Sequence, residues 1–163
     1  MFSQIDNPYF KGSELFTNER YAKGRYTYTD NTISNINIFP ITLVNDNITQ
    51  GLTINKVNDW FSIGIINSNN HKEYITIDPL KGTSNNNINY DYNKYRHPHP
   101  DERKQEMMFD LKRGTIGDSI SLDIRDDILY LLINNIEYKL WTVSKDTNWK
   151  LMVYMSDSSI TIL

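Results

Sequence analysis

Five carboxylates lie close together in the segment 117–140, which reads GDSISLDIRDDILYLLINNIEYKL. They are Asp118, Asp123, Asp126, Asp127 and Glu137. Paired carboxylates can act as general acid and base, or as the nucleophile and acid of a glycosidase. Each of these five, however, stands in a turn or on the polar side of an alternating pattern. A solvated structural role is therefore favoured over catalysis for all of them.

A second group of acids lies in the stretch 101–106, which reads DERKQE. Lectin-like hydrolases often present Glu-x-Asp-x-x-Glu on one strand, and this stretch has neither that order nor that spacing. The sequence also has no Gly-rich phosphate loop and no Gly-x-Ser-x-Gly nucleophile elbow. It contains no cysteine, which removes thiolate chemistry and disulfides. The sequence therefore predicts a protein that is not an enzyme.

The most unusual composition is in the stretch 89–106, where tyrosine, arginine and histidine are concentrated. Tyr and Arg are typical of interface anchors, and the nearby Pro98 and Pro100 would stiffen the chain. The alternative is that the tyrosines pack on the body of the protein and the charged tail is solvated. We predict a ligand-binding loop whose contact residues are Tyr90, Tyr92, Tyr95, Arg96, His97 and His99.

His97 and His99, with Asp101 and Glu102, also have the chemistry of metal ligands. Outside this stretch the only other histidine is His71, and no further ligand cluster has a matching spacing. Adventitious metal binding, or no metal binding, is therefore the favoured interpretation. We predict no bound metal and no cofactor.

Strand patterns recur along the whole chain and must position these side chains. We predict strands at 26–29, 32–39, 41–44, 48–57, 59–66, 73–78, 88–92, 106–111, 148–155 and 158–163, in addition to those in 117–140. The Asn-rich stretches 67–70 and 84–89 are predicted as loops, and one short helix is expected near Gly12 to Tyr21. So many short strands in 163 residues predict one all-β domain, 1–163, built as a two-sheet antiparallel β-sandwich of the jelly-roll kind.

Within 117–140 the pattern predicts a three-strand meander. Ile120, Leu122 and Ile124 alternate with polar residues, which indicates a half-buried strand. The stretch 128–133 is apolar on both faces, so a central strand covered on each side is expected. Asn134-Asn135 is a credible two-residue hairpin turn, because Asn tolerates positive φ.

Composition limits the partners. The 17 basic and 20 acidic residues give a formal charge of -3, which argues against an extended nucleic-acid footprint. No leader pattern and no apolar run of membrane-spanning length occur, so the expectation is an intracellular, cytoplasmic protein with no membrane partner. Each of the three tryptophans, Trp60, Trp141 and Trp149, lies near a strand end, where it can line a ligand recess or pack between the two sheets; the core is favoured for each.

Three stretches resemble a known family. The segment 59–65, DWFSIGI, is similar to the Trp-Ser-x-Gly-Val/Ile strand of SPRY domains, and Gly117 to Asn135 resembles their Gly-Asp-x-Ile start, turn, apolar strand and hairpin. The closing WKLMVYMSDSSITIL is similar to their last two strands. The resemblance covers about the last two-thirds of the chain. It implies a concanavalin-like β-sandwich that recognises proteins and whose specificity lies in loops at one edge.

The predicted function is a non-catalytic module that binds a protein or peptide partner through edge loops. The alternative is a lectin-like module that binds carbohydrate, with aromatic faces stacking on sugars and Asn and Asp side chains bonding their hydroxyls. A peptide array and a glycan array distinguish the two.

Overall fold

The computed structural model of the protein describes residues 1–8, 24–35, 39–88 and 115–163, together with the backbone of 105–108. Hydrogen bonds join twelve strands of these residues into one network with antiparallel pairing throughout. The predicted all-β class is confirmed. In chain order the strands are β1 (Ser3–Ile5), β2 (Thr27–Thr29), β3 (Thr32–Asn35), β4 (Ile41–Asn45), β5 (Leu52–Asn67), β6 (Asn70–Asp78), β7 (Thr83–Asn86), β8 (Gln105–Met108), β9 (Ser119–Arg125), β10 (Ile128–Ile133), β11 (Ile136–Thr142) and β12 (Trp149–Ile162).

Two long strands, β5 and β12, pair with each other and run through two sheets. The first half of β12 pairs with β4 and the second half pairs with β3. Likewise, the end of β5 pairs with β6 and its start pairs with β9. The first sheet therefore has the order β1-β4-β12-β5-β6-β7-β8, and the second has the order β2-β3-β12-β5-β9-β10-β11.

The sequence predicts strand breaks at Asn58 and at Ser156-Asp157, but β5 and β12 continue through both positions. A shift in the pairing register lies there, between Ser156 and Ser158, and a second shift follows between Ser159 and Ile160. Asp157 has a φ of 46°, and its N–H donates to Asn35 Oδ1 at 2.7 Å. Extra residues in one strand of a pair bend that strand and let it pass from one sheet to another. The predicted breaks are therefore bends.

Two strands were not predicted. β1 precedes the first expected strand, and β7 overlaps the Asn-rich stretch 84–89 that was expected to be a loop. β7 pairs with both β6 and β8, and the Ser84 hydroxyl donates to the Thr76 carbonyl at 2.8 Å. The expected helix at 12–21 and most of the expected strand at 88–92 lie outside the described residues.

The main core lies between the two sheets, which supports the predicted sandwich. Leu43, Phe61 and Val153 of the first sheet join Ile54 and Leu131 of the second in one buried cluster. Alternation along each strand places these residues on the inward faces.

The tryptophans divide between this core and the surface of the first sheet. Trp149 is buried in the main cluster and Trp141 packs against it, as predicted. Trp60 precedes the inward-facing Phe61 and pairs with Ser156, so its side chain is on the outer face of the first sheet. The expectation that Trp60 belongs to the core is therefore wrong.

The predicted meander is present as β9, β10 and β11. Asn134 and Asn135 have φ values of 49° and 65° in the expected hairpin turn. In β10, Leu131 points into the core, whereas Tyr130 and Leu132 are only half-buried on the other face. The expectation that both faces of this strand are covered is therefore wrong for the outer face.

Structural contacts account for four of the five carboxylates in this meander. Asp118 accepts bonds from the Thr115 N–H at 2.8 Å and from Asn134 Nδ2 at 2.9 Å, which joins the start of β9 to the next hairpin. Arg125 forms ion pairs with both Asp123 and Glu137. Asp127 Oδ1 accepts the Lys145 N–H at 3.1 Å. These contacts support the structural interpretation of the acids.

The outer face of the first sheet is also buried. Consecutive positions are buried in β4 and in the stretches 61–66, 74–78 and 151–156. Ile66, Tyr74 and Met152 belong to a second, smaller apolar cluster on this face. Burial raises the pKa of the nearby Tyr154 phenol above its ordinary value. Burial on this face therefore disfavours the ionised form of a buried acidic group.

Asp78, at the end of β6, is such a group and is 9% exposed. Its Oδ1 accepts the backbone N–H groups of Leu80 and Lys81 at 3.1 and 3.0 Å. Burial raises the pKa of this carboxyl above its ordinary value of 3.8, although the two N–H groups and the Lys81 charge act in the opposite direction. The ionised form is therefore less stable in the folded protein than in the unfolded chain.

An Asp78→Asn variant should gain stability over the wild type as the pH rises. A raised pKa means that the folded state binds the proton more tightly, so the contribution of Asp78 to stability falls as the pH rises through the interval above 3.8. The amide keeps an acceptor oxygen and does not ionise. Melting temperatures between about pH 3 and pH 7 should coincide at the acid end and diverge above it. A difference between the two proteins that stays constant over this range would contradict this account.

Candidate functional site

A groove opens at one end of the sandwich, where strands of both sheets end. Its volume is about 580 Å³, which is within the usual range for ligand pockets. The first sheet contributes Glu73 near the start of β6, and Asn86 and Ile88 at and after the end of β7. The second sheet contributes Asp127 from the β9–β10 turn, and the segment 142–147 and Trp149 complete the lining. We call this site the end groove.

Hydrogen bonds fix the β11–β12 loop that forms one wall of the end groove. The Val143 N–H donates to the Asp127 carbonyl at 2.8 Å, and Trp149 Nε1 donates to the Ser144 carbonyl at 2.7 Å. Farther along, the Asn148 carbonyl accepts the Ser68 N–H at 3.0 Å and the Ser68 hydroxyl at 2.9 Å. A wall held at several points loses little conformational entropy when a ligand binds.

Among the residues that the structure describes, carboxylates outnumber cations in the lining of the end groove. Glu73, Asp127 and Asp146 line it together with the ammonium group of Lys145. Glu73 is oriented by Asn67, whose Nδ2 donates to Glu73 Oε1 at 3.0 Å. Asp146 is exposed, so its carboxylate is accessible to a ligand. This charge balance suits a ligand that presents a cationic group.

The six predicted contact residues, Tyr90, Tyr92, Tyr95, Arg96, His97 and His99, lie outside the described residues. They stay a prediction, as does the absence of a metal at the two histidines. Their segment follows Ile88 directly in the sequence, and Ile88 lines the end groove. Within the residues that the structure describes, no three His, Asp or Glu side chains are grouped as metal ligands.

Sequence reasoning missed most of the end groove. The stretch 143–148, VSKDTN, has the composition of an ordinary polar loop, and Glu73 lies in a simple alternating strand. One available signal was Trp149, since a tryptophan near a strand end can line a ligand recess. The structure places Trp149 in both roles, because its ring is in the core while it also lines the groove.

Comparison with known proteins gives a match only at the level of structure. No protein-family model matches the sequence, and no curated protein matches it. The SPRY domain of human HERC1 superposes with a TM-score of 0.59 and 10% sequence identity, over 84% of this chain and 91% of that domain. The carbohydrate-binding module CBM66 from Bacillus subtilis gives a TM-score of 0.47 and 7% identity, over 86% of this chain and 88% of that module.

The first superposition covers most of both chains, and at 10% identity it concerns the fold. It agrees with the resemblance of segments 59–65 and 117–135 to SPRY motifs, which lie here in β5 and in the meander. The chain therefore has the SPRY-domain fold, an antiparallel β-sandwich.

Proposed function

We propose that this protein is a non-catalytic binding module that recognises a protein or peptide partner through the end groove and the adjoining segment 89–104. The observation that carries the proposal is the groove itself, a cavity of about 580 Å³ built from the ends of both sheets. SPRY domains, which the chain resembles, are modules that recognise proteins. The structural roles of the meander carboxylates also favour binding over catalysis.

The preferred partner is a peptide that carries lysine or arginine. Three carboxylates and one ammonium group of the described residues line the end groove, so a cationic side chain gains attraction from this part of the lining. Tyr92 and Arg96 in the following segment would add aromatic and planar contacts, which are typical of interface hot spots.

Charge reversal in the groove tests this function. Peptides selected from a random display library on the wild-type protein should contain Lys or Arg, and Asp146→Lys should weaken their binding at least about tenfold by fluorescence anisotropy. Asp6→Lys is the matched control, because Asp6 is exposed beside β1, at the opposite edge of the first sheet from β7. This control should bind as the wild type does.

The double variant Tyr92→Ala, Arg96→Ala tests the adjoining segment with the same peptides. We expect weaker binding, since loss of hot-spot residues commonly weakens an interface by more than tenfold, at about 2 kcal/mol each. Undiminished binding would remove these residues from the site. Two results would contradict the proposed function. One is a library that yields no binding peptide, and the other is a set of peptides that bind Asp146→Lys with the same affinity as the wild type.

A further inference from the structure

The outward face of the second sheet carries a regular array of hydroxyl groups. One row crosses four neighbouring strands, β2, β3, β12 and β5, and the pairing register places its members directly opposite one another. This row consists of Thr29, Thr32, Thr161 and Thr53. It continues onto β9, where Ser119 is opposite Thr53.

A second row lies two residues farther along the same strands, on the same face. Thr27 is opposite Ser34, and Ser34 is opposite Ser159. In β5 the register pairs Ser159 with Lys56, and the shift next to this pair leaves Asn55 as an extra residue. Asn55 completes the row, because its Nδ2 approaches Ser159 Oγ at 3.5 Å. We call the two rows together the hydroxyl grid.

Hydrogen bonds between strands hold the hydroxyl grid in place. Thr32 Oγ1 and Thr161 Oγ1 are 3.2 Å apart, and Ser34 Oγ and Ser159 Oγ are 3.0 Å apart. Asn55 Nδ2 donates to Thr161 Oγ1 at 2.8 Å. A hydroxyl offers one donor and two acceptor sites, so each pair keeps further donor and acceptor capacity toward solvent. The side chains are half-buried or exposed, which leaves that capacity accessible.

No member of the hydroxyl grid is charged, and the exposed cation Lys56 follows its member Asn55 in β5. Strands lie about 4.8 Å apart and alternate residues about 6.7 Å apart, so the rows form a repeating pattern of polar groups on one sheet face. A neutral, repeating surface suits a neutral, repeating ligand, because desolvating hydroxyls costs far less than desolvating charges. Many modest hydrogen bonds can then add along the ligand.

We propose that the hydroxyl grid binds a neutral polysaccharide chain that lies flat across strands β2, β3, β12 and β5. The sugar hydroxyls exchange hydrogen bonds with the Ser, Thr and Asn side chains of the two rows. This site is separate from the end groove and does not depend on the proposed peptide binding.

Affinity electrophoresis tests the proposal with barley β-glucan, xyloglucan, galactomannan and dextran as probes. We expect at least one of these polymers to retard the full-length protein. The retardation should persist at about 1 M NaCl, because uncharged contacts are not screened by salt. The anionic polymer alginate should not retard it.

Substitutions in the hydroxyl grid test whether the polymer binds at this surface. Thr53→Val with Thr161→Val keeps the side-chain shape and removes two hydroxyls, and we expect affinity for the polymer to fall at least about tenfold. Thr53→Ser with Thr161→Ser restores both hydroxyls and should retain binding. Thr83→Val, the same chemical change on β7 of the first sheet, should bind as the wild type does, and so should Asp146→Lys in the end groove. Circular dichroism establishes that each variant is folded.

Three results would overturn the proposal. The first is no retardation by any of the four neutral polymers. The second is retardation that the two valines leave unchanged, which would place the polymer elsewhere. The third is retardation that salt abolishes, which would indicate a charged site. Loss of polymer binding with intact peptide binding, or the reverse, separates this proposal from the function of the end groove.

Discussion

A Gly64→Ala variant should be destabilised by about 3 kcal/mol or more, and in cells it should accumulate as unfolded or degraded protein. Gly64 lies in β5, between Met152 of β12 and Thr76 of β6. A Cβ at this position would be 1.8 Å from the Ile75 carbonyl oxygen and 2.8 Å from its carbonyl carbon. Both are backbone atoms of a neighbouring strand, so no side-chain rotation relieves the overlap.

Gly51→Ala provides the matched control for this prediction. A Cβ at Gly51 would be 3.4 Å from Leu163 Cδ1, the end of a flexible side chain. We expect this variant to change the free energy of unfolding by less than about 1 kcal/mol. Urea denaturation followed by tryptophan fluorescence measures both variants. Equal midpoints for the two would show that β5 and β6 do not approach each other as closely as described.

Leu131→Ala should lower the free energy of unfolding by about 3 kcal/mol, within the range of about 2–5 for such a truncation. Leu131 is completely buried in β10, and it lies between Leu122 of β9 and Tyr138 of β11. Both neighbours are buried as well, so little can move into the space left by the removed atoms. The cost therefore includes a cavity in addition to the lost apolar burial.

Leu132→Ala tests the register of the same strand. Leu132 is half-buried on the outward face, so its truncation should cost about 1 kcal/mol or less. A slip of one residue would exchange the two faces. If urea denaturation gave the larger loss at Leu132, the assignment of the core face of β10 would be wrong.

The sequence predicts the fold class well because a period of two is a direct consequence of strand geometry. It marks the bends of β5 and β12 at the correct residues but interprets them as strand ends. The reason is physical: an extra residue interrupts alternation in the same way whether the strand stops or bends. Only the partner strands distinguish the two cases, and partners are set by the tertiary structure.

β7 and the end groove illustrate a different limit. Thr83–Asn86 has little intrinsic preference for strand, and its conformation depends on tertiary contacts such as the bond from Trp141 Nε1 to Ser84 Oγ at 2.9 Å. The groove likewise depends on the convergence of chain ends that are distant in sequence, such as Glu73 and Asp146. Composition could identify the aromatic segment 89–106, because its residues are adjacent in the sequence. It gave no signal for the end groove, whose residues come together only in the folded structure.

The two strands that pass through both sheets also affect how the protein folds. β5 and β12 are separated by about half the chain and pair along most of their length, so their association requires closure of a long loop. Neither sheet has its central pair until that closure has occurred. We therefore expect slow folding, in milliseconds to seconds, as is common for β-proteins with non-local pairing. During synthesis, both sheets would remain incomplete until residues 149–162 have left the ribosome, so we expect the two sheets to form together in one cooperative event.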